Sequence, residues 1–214
     1  SMPVGRIAFQ HIEPMGFSEY LLAHDQQRLL SAIGAWRPGQ NLSAAAHEQA
    51  TRWFSRFAMV GGMPAVVAVD VSGQEPRQVR ELQKELLAAY RADFAKYAGR
   101  MDRDILNAVL NAVAASLGRK FVHAHVGEGV KQHQAKRALD LLSMARLVHQ
   151  VKYTAANGLP LGAEVKDSFR KAVAADIGII HALLGTPAAQ AFPSWKSLAP
   201  SLRGQITDQL AAQQ

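Results

Sequence analysis

The sequence predicts a mainly α-helical protein with a small β component, and two patterns lead to this prediction. Long stretches of the chain carry apolar residues at three- and four-residue steps, which is the period of a helix with one buried side. The stretch LVHQVKYT instead alternates, as a strand does, and a glycine- and proline-containing segment separates it from a second predicted strand. Apolar residues make up 49% and charged residues 19% of the chain, a composition typical of globular proteins.

The N-terminal part is predicted to hold a short strand followed by helices. GRIAFQHI alternates, and Pro14 and Gly16 then break the strand. A helix is predicted to begin near Ser18, and Ser43 is placed to cap the next one after a turn-rich loop. VGGMP should end or kink that second helix. The apolar side of the first helix is predicted to contain Phe17, Tyr20, Leu21, Leu29, Leu30 and Ile33.

The middle of the chain carries the strongest helical periodicity. Residues 74–98 predict the longest helix, and Asp102 or Asp104 opens another that Gly118 ends. The stretch 121–126 predicts a short strand or an extended link. Residues 131–148 predict one more helix, and the two strands and a short final helix, IGIIHALLG, follow it.

Helices followed by two strands around a glycine-rich tip are typical of a winged helix-turn-helix module. In this interpretation NGLPLGAEV, residues 157–165, forms the wing between the paired strands. Its glycines supply the backbone freedom that such an excursion needs.

The charge pattern indicates an acidic partner, with DNA the first choice. The chain has a net charge of +7 and a pI near 9.9, and residues 119–152 contain seven Lys or Arg against Glu128 and Asp140. Basic and amide side chains at the start of a recognition helix contact phosphates and base edges. The alternative is an exposed face of a module that contacts only protein. The candidate nucleic-acid-binding residues are Lys131, Gln132, Gln134, Lys136, Arg137 and Lys152.

No catalytic residue and no metal ligand is predicted. Without cysteine there is no thiolate nucleophile or thiolate metal site, and no GxxxxGK[ST] phosphate-binding loop occurs. VVAVDV ends in Asp70 as a Walker B strand would, but without that loop we interpret it as core and turn. The spacing of His123, His125 and His133 permits metal binding, yet no patterned carboxylate supports it beyond Glu128. No apolar run is long enough to cross a membrane, and the expected location is the cytoplasm.

Several segments resemble one family in order along the chain. PVGRIAFQHIEPMGFSEYL, MVGGMPAVV, YRADFAKYA, ANGLPLGAEV and LRGQITDQLAAQQ are similar to motifs of the bacterial and archaeal AAA-like ATPases that carry a DUF4143 region. Ala65 and the pair Thr207-Asp208 depart from those motifs. The resemblance implies a middle fragment that lacks the P-loop and most of a C-terminal nuclease-like domain.

The resemblance also implies domains and partners. Residues 1–100 would end the ATPase core and form its AAA-type helical lid, 101–186 the winged helix-turn-helix domain, and 187–214 a linker and the start of a truncated domain. No cofactor is expected for this chain, whereas the full-length parent would bind ATP and Mg²⁺, with Arg6 near the nucleotide. The expected function is to couple nucleotide state to DNA or partner binding without catalysis. The alternative is a structural protein–protein interaction module, and self-association of the fragment is also expected.

Overall fold

A computed structural model describes residues 10–97, 101–155, 157–160, 164–186 and 198–213. The described part is mainly helical with one two-stranded antiparallel sheet, which confirms the predicted fold class at that level. The elements are α1 (Phe17–Ala23), α2 (Gln27–Ala35), α3 (Ala44–Val60), α4 (Pro64–Val71), α5 (Pro76–Asp93), α6 (Arg103–Ala115), α7 (Gln132–Met144), β1 (Val148–Thr154), β2 (Val165–Ala174), α8 (Ile177–Leu184) and α9 (Pro200–Gln213), with 3₁₀ helices at Phe94–Tyr97 and His123–His125.

The first predicted helix is two helices, so that prediction was wrong in its extent. The chain turns between α1 and α2 at Asp25, whose φ is +56°. A left-handed residue cannot continue a right-handed helix, and aspartate is one of the few residues that tolerates this conformation. The predicted strand at residues 5–12 is not formed at residues 10–12, which have no regular structure, and its earlier part lies outside the described residues.

The break predicted at VGGMP is confirmed. Helix α3 begins after Ser43, whose hydroxyl accepts a hydrogen bond from the amide of Ala46, and it ends at Gly61 with φ +79°. Pro64 then occupies the first position of α4, where its missing N–H costs nothing. Asp70 therefore lies in a helix and not at the end of a strand.

The helices of the middle region match their predictions closely. Helix α5 is continued by the 3₁₀ helix Phe94–Tyr97, and α6 begins after Asp102, which caps it by accepting from the amide of Asp104. The short strand or extended link predicted at 121–126 is found only in part: residues 121–122 have no regular structure, whereas His123–His125 form a 3₁₀ helix. One strand-like contact remains, in which the amide of Phe121 donates to the carbonyl of Arg170 in β2 over 2.9 Å.

The two strands predicted around the glycine-rich tip form the sheet. Val148 pairs with Ala174 and Lys152 with Arg170, and a register shift follows between Lys152 and Tyr153. A two-stranded sheet is marginal alone. Here one face is buried against the helices, and Val148 and Ala174 are fully buried.

Two apolar clusters form the core, and they share elements. Leu87 of α5 belongs to the first cluster with α7 and the sheet, whereas Val79 of the same helix belongs to the second with α1, α3 and α4. Helices α6 and α8 contribute to both clusters in the same way. Helices on both sides of residue 100 thus build each core, and the predicted domain bounds stay predictions. Among the described residues, no helix combines the length and the apolar character needed to cross a membrane.

Candidate nucleic-acid interface

Helix α7 packs against the core through one apolar side, and its opposite side faces solvent. Gln134 Oε1 accepts a hydrogen bond from the amide of Lys131 over 3.1 Å and closes the start of the helix. The exposed side carries His133, Lys136 and Arg137. The buried side consists of Ala135, Ala138, Leu139 and Leu142.

Four of the six predicted binding residues come together at the start of α7. Lys131 is the residue that precedes the helix, Gln132, Lys136 and Arg137 lie within its first two turns, and all four are exposed. Gln134 is half-buried and uses its side-chain oxygen within the helix, so only its amide nitrogen is available to a ligand. The structure thus assigns Gln134 a capping function that the sequence pattern did not reveal.

Lys152, the sixth predicted residue, lies on β1 beside α7. Gln150 of the same strand donates to Asp140 of α7 over 3.0 Å and accepts from Arg170 over 2.8 Å. Residues two apart on a strand share a face. Lys152 therefore extends from the side of the sheet that contacts α7, and it is exposed.

A carboxylate closes the tip of the hairpin. Glu164 accepts hydrogen bonds from the amide and the side-chain nitrogen of Asn157, at 3.0 and 3.4 Å. Leu159 is 91% exposed at this tip. Residues 161–163 of the predicted wing lie outside the described residues.

The sequence did not reveal that the ring of His123, near α7, is partly enclosed. His123 Nε2 is enclosed and has no hydrogen-bond partner among the described residues. Burial lowers the pKa of His123, the nearby charges of Arg170 and Lys136 lower it further, and Asp140 opposes them. The described residues contain no group of three His, Asp or Glu side chains that could hold a metal ion. Sequence spacing drew attention to this histidine only as a possible metal ligand.

A second polar cluster surrounds Asp70, which is 5% exposed. Tyr20 donates to its carboxylate over 2.5 Å, Arg56 makes a two-nitrogen contact at 2.9 and 3.1 Å, and His24 Nε2 lies at 3.0 Å. These bonds join α1, α3 and α4 and occupy both carboxylate oxygens. Asp70 is thus a structural counter-ion of Arg56.

Comparison with protein families gives one match over the larger part of the chain. Residues 51–190 match the family described as domain of unknown function DUF8612. The chain belongs to the DUF8612 family. The DUF8612 region begins within α3 and ends after α8, so it contains α7, the hairpin and His123. No curated protein and no solved structure matches the chain.

This family corrects the resemblance drawn from the sequence. The matching family is DUF8612, so the assignment to AAA-like ATPases with a DUF4143 region was wrong. Short motifs such as GGMP and a glycine-rich hairpin are not sufficient to identify a family. The ATPase lid, the missing ATPase and nuclease-like domains, the binding of ATP and Mg²⁺ by a longer parent and the nucleotide contact of Arg6 rested on that resemblance and lose its support. Arg6 itself lies outside the described residues.

Proposed function

We propose that the DUF8612 chain is a non-catalytic module that binds double-stranded DNA with the exposed side of α7 and the β1–β2 hairpin. The observation that carries the proposal is the grouping of Lys131, Gln132, Lys136 and Arg137 on one solvent-facing helix start beside a hairpin. Lysine and arginine neutralise phosphates, and glutamine and arginine are suited to base edges in the major groove.

The order of elements supports the same proposal. Helix α6, the single pairing of Phe121 with β2, the 3₁₀ helix, α7, β1, the tip and β2 follow one another as in a winged helix. In helix-turn-helix proteins the second helix enters the major groove with its N-terminal residues against the bases. Here that helix would be α7, whose start bears the basic and amide side chains.

Salt-dependent binding of a DNA duplex tests the proposal. We expect weak binding at low salt and a steep loss of affinity as salt rises, because counterions released from the phosphates drive it. Removing one phosphate-neutralising charge should lower the salt slope by about 0.9 and the affinity at 0.1 M salt by about eightfold. Lys136→Gln with Arg137→Gln should therefore bind roughly 60-fold more weakly in fluorescence anisotropy, if both side chains contact phosphates.

The matched control is Lys84→Gln. Lys84 is exposed on α5, which is not part of the proposed DNA surface, and removal of its charge should leave the affinity within about twofold of the wild type because exposed charges that do not contact the phosphates are screened. A decrease of about eightfold in the control, the same for each charge removed as in the double variant, would reduce the effect to net charge and contradict a defined DNA surface.

One observation favours a second candidate function, a protein–protein interaction module. The outer face of the sheet carries Val151, Tyr153 and Phe169, which are 41–47% exposed, and the rings of Tyr153 and Phe169 meet edge to face with centroids 5.6 Å apart. Contiguous exposed apolar groups are typical of contact surfaces. Absence of duplex binding even at low salt, together with a dimer in light scattering that Phe169→Ser dissociates, would favour this candidate.

A further inference from the structure

The side-chain amide of Gln150, on β1, bridges α7 and β2. Its Nε2 donates to Asp140 Oδ1 over 3.0 Å and to Ser143 Oγ over 3.1 Å, and both acceptors belong to α7. Its Oε1 accepts from Arg170 Nη1 of β2 over 2.8 Å. A carboxylate at the nitrogen and a guanidinium at the oxygen thus orient the amide, and hydrogen bonds to charged groups are the stronger ones.

The partners of Gln150 are themselves fixed. Ser143 donates its hydroxyl hydrogen to the carbonyl of Leu139 over 2.9 Å, so its oxygen is free to accept from the amide. Arg170 is buried, and its own carbonyl accepts from the amide of Phe121, in the segment that precedes α7. One half-buried side chain therefore joins α7 to both strands of the hairpin.

The apolar contacts of α7 fix its position less sharply than these hydrogen bonds do. Ala135 and Ala138 are two of its four buried apolar side chains. Apolar burial has no preferred direction, whereas a hydrogen bond needs a defined distance and angle. Asp140 and Ser143 lie three residues apart on one side of the helix, so the two bonds from Gln150 fix the rotation of α7 against the sheet.

We propose that Gln150 is a positioning residue for DNA binding, which holds Lys152 at a fixed place relative to Lys136 and Arg137. The inference rests on the proposed function and names the residue that joins its two surfaces. Lys152 follows Gln150 by two residues on the same face of β1, and Lys136 and Arg137 lie about one turn before the acceptors of Gln150 on α7. Helix and hairpin can then contact one duplex together without first being ordered.

The test is a neutral substitution, Gln150→Met, which keeps the length of the side chain and removes all three hydrogen bonds. Because Lys152 would lose its phosphate, the salt slope of duplex binding should fall by about 0.9 and the affinity at 0.1 M salt by about eightfold, although no charge has changed. A merely structural role would lower the folded fraction and leave the slope unaltered. Fluorescence anisotropy over a range of salt concentrations measures both quantities.

The matched control is Gln49→Met. Gln49 is exposed on α3, and its side chain also donates a hydrogen bond, to Gln26 Oε1 over 3.1 Å. The control removes a glutamine bond outside the proposed DNA surface, so the slope and the affinity should equal those of the wild type.

A double-mutant cycle with Lys152→Gln gives the decisive comparison. Lys152→Gln should weaken binding about eightfold in the wild type and less than about twofold in the Gln150→Met protein. Asp140→Ala with Ser143→Ala removes the same bonds from the helix side, and alanine favours a helix, so this protein should fold even if Gln150→Met does not. The effect of Lys152→Gln should vanish there too, whereas Asp140→Asn keeps an acceptor oxygen and should retain it.

The outcomes separate this inference from the proposed function. An eightfold effect of Lys152→Gln in every background overturns the positioning role, and the DNA surface stands. Lys152→Gln without effect in a wild type that needs Lys136 and Arg137 also overturns it, because the hairpin then makes no phosphate contact. A wild type that binds no duplex at low salt overturns both. The inference is upheld when the effect of Lys152→Gln is lost with the bonds of Gln150 and retained in Asp140→Asn.

Discussion

At the scale of single residues, Asp70 is the clearest source of stability among polar groups of the N-terminal helices. Its carboxylate accepts from Tyr20 and Arg56 and contacts His24. Burial is the largest cause of the raised pKa of Tyr20, and the bond to Asp70 raises it further, so the phenol stays protonated and donates. A buried carboxylate is tolerated when it is paired and bonded in this way.

Asp70→Asn should lower the free energy of unfolding by about 3 kcal/mol, because it leaves the positive charge of Arg56 without its counter-ion. The value is taken from the lower end of the range for buried pairs, since the Arg56 side chain is 42% exposed. Tyr20→Phe keeps the ring and removes one hydrogen bond to a charged group, so it should cost about 2 kcal/mol. Urea denaturation measures both variants, and an Asp70→Asn protein as stable as the wild type would contradict the role of this cluster.

The sequence predicts which charged residues are exposed better than it predicts the contacts of enclosed polar groups. The exposure of Lys136 and Arg137 could be predicted because their charge and helical spacing are local features, and their part in binding stays a prediction. The contacts of Asp70 could not be predicted, since Tyr20 lies 50 residues away and is brought close only by packing. His123 likewise depends on Arg170, a residue in a strand that comes 47 positions later.

At the scale of elements, helix ends set by local chemistry could be predicted and those set by tertiary contacts could not. Ser43 and Asp102 cap their helices with their own side chains. The stretch 121–126 has strand-like residues, but the one backbone hydrogen bond that it makes to β2 among the described residues goes to the carbonyl of Arg170, and His123–His125 form a 3₁₀ helix. The turn at Asp25 could not be predicted, because no proline or glycine lies beside it in the sequence.

The junction between α3 and α8 depends on the absence of a side chain at Gly178. Its amide donates to Asp176 Oδ1 over 2.7 Å, and a Cβ at this position would lie 2.6 Å from that oxygen and 2.9 Å from Gln83 Nε2. Gln83 cannot easily move, because it donates to the carbonyl of Val60 over 2.8 Å. The start of α8 is therefore fixed by close contacts with the end of α3.

Gly178→Ala should lower the free energy of unfolding by about 2 kcal/mol through this overlap, although alanine is the better helix former. Gly34→Ala is the matched control: Gly34 lies in α2, and a methyl group added there would meet nothing within 4 Å, so its replacement should stabilise the protein by about 0.5–1 kcal/mol. Opposite signs in thermal or urea unfolding are expected. Stabilisation by both alanines would show that the α3–α8 contact can relax.

At the scale of the whole molecule, two buried ionisable groups at α8 make the stability of the fold depend on pH. Asp176 accepts from the amides of Gly62 and Gly178, yet burial outweighs these bonds and raises its pKa to about 6. His181 bonds the carbonyl of Ala58 over 2.8 Å, and burial, reinforced by Arg80, lowers its pKa to about 4. The native state thus binds an extra proton at Asp176 and lacks one at His181 over much of the same pH range.

These two groups change stability in opposite directions on acidification. Between about pH 6 and 4 the folded protein protonates Asp176 before the unfolded chain does, so this group stabilises the fold as the pH falls. Between about pH 6.5 and 4 the unfolded chain protonates the histidine first, so His181 destabilises the fold over nearly the same range. Each shift of a little over two pKa units corresponds to about 3 kcal/mol, and the wild-type effects should largely cancel.

Single variants should therefore show the separate pH dependences of Asp176 and His181, which cancel in the wild type. Asp176→Asn keeps a capping side chain but cannot titrate, so its stability should fall by about 3 kcal/mol more than that of the wild type between pH 6.5 and 4. His181→Gln removes the opposing group, and its stability should rise as the pH falls through 6 towards 4. Urea denaturation at several pH values gives these slopes independently of the constant cost of each substitution. Parallel curves for the wild type and Asp176→Asn would mean that Asp176 is ionised across the whole range and that its hydrogen bonds from Gly62, Gly178 and Gln213 outweigh burial.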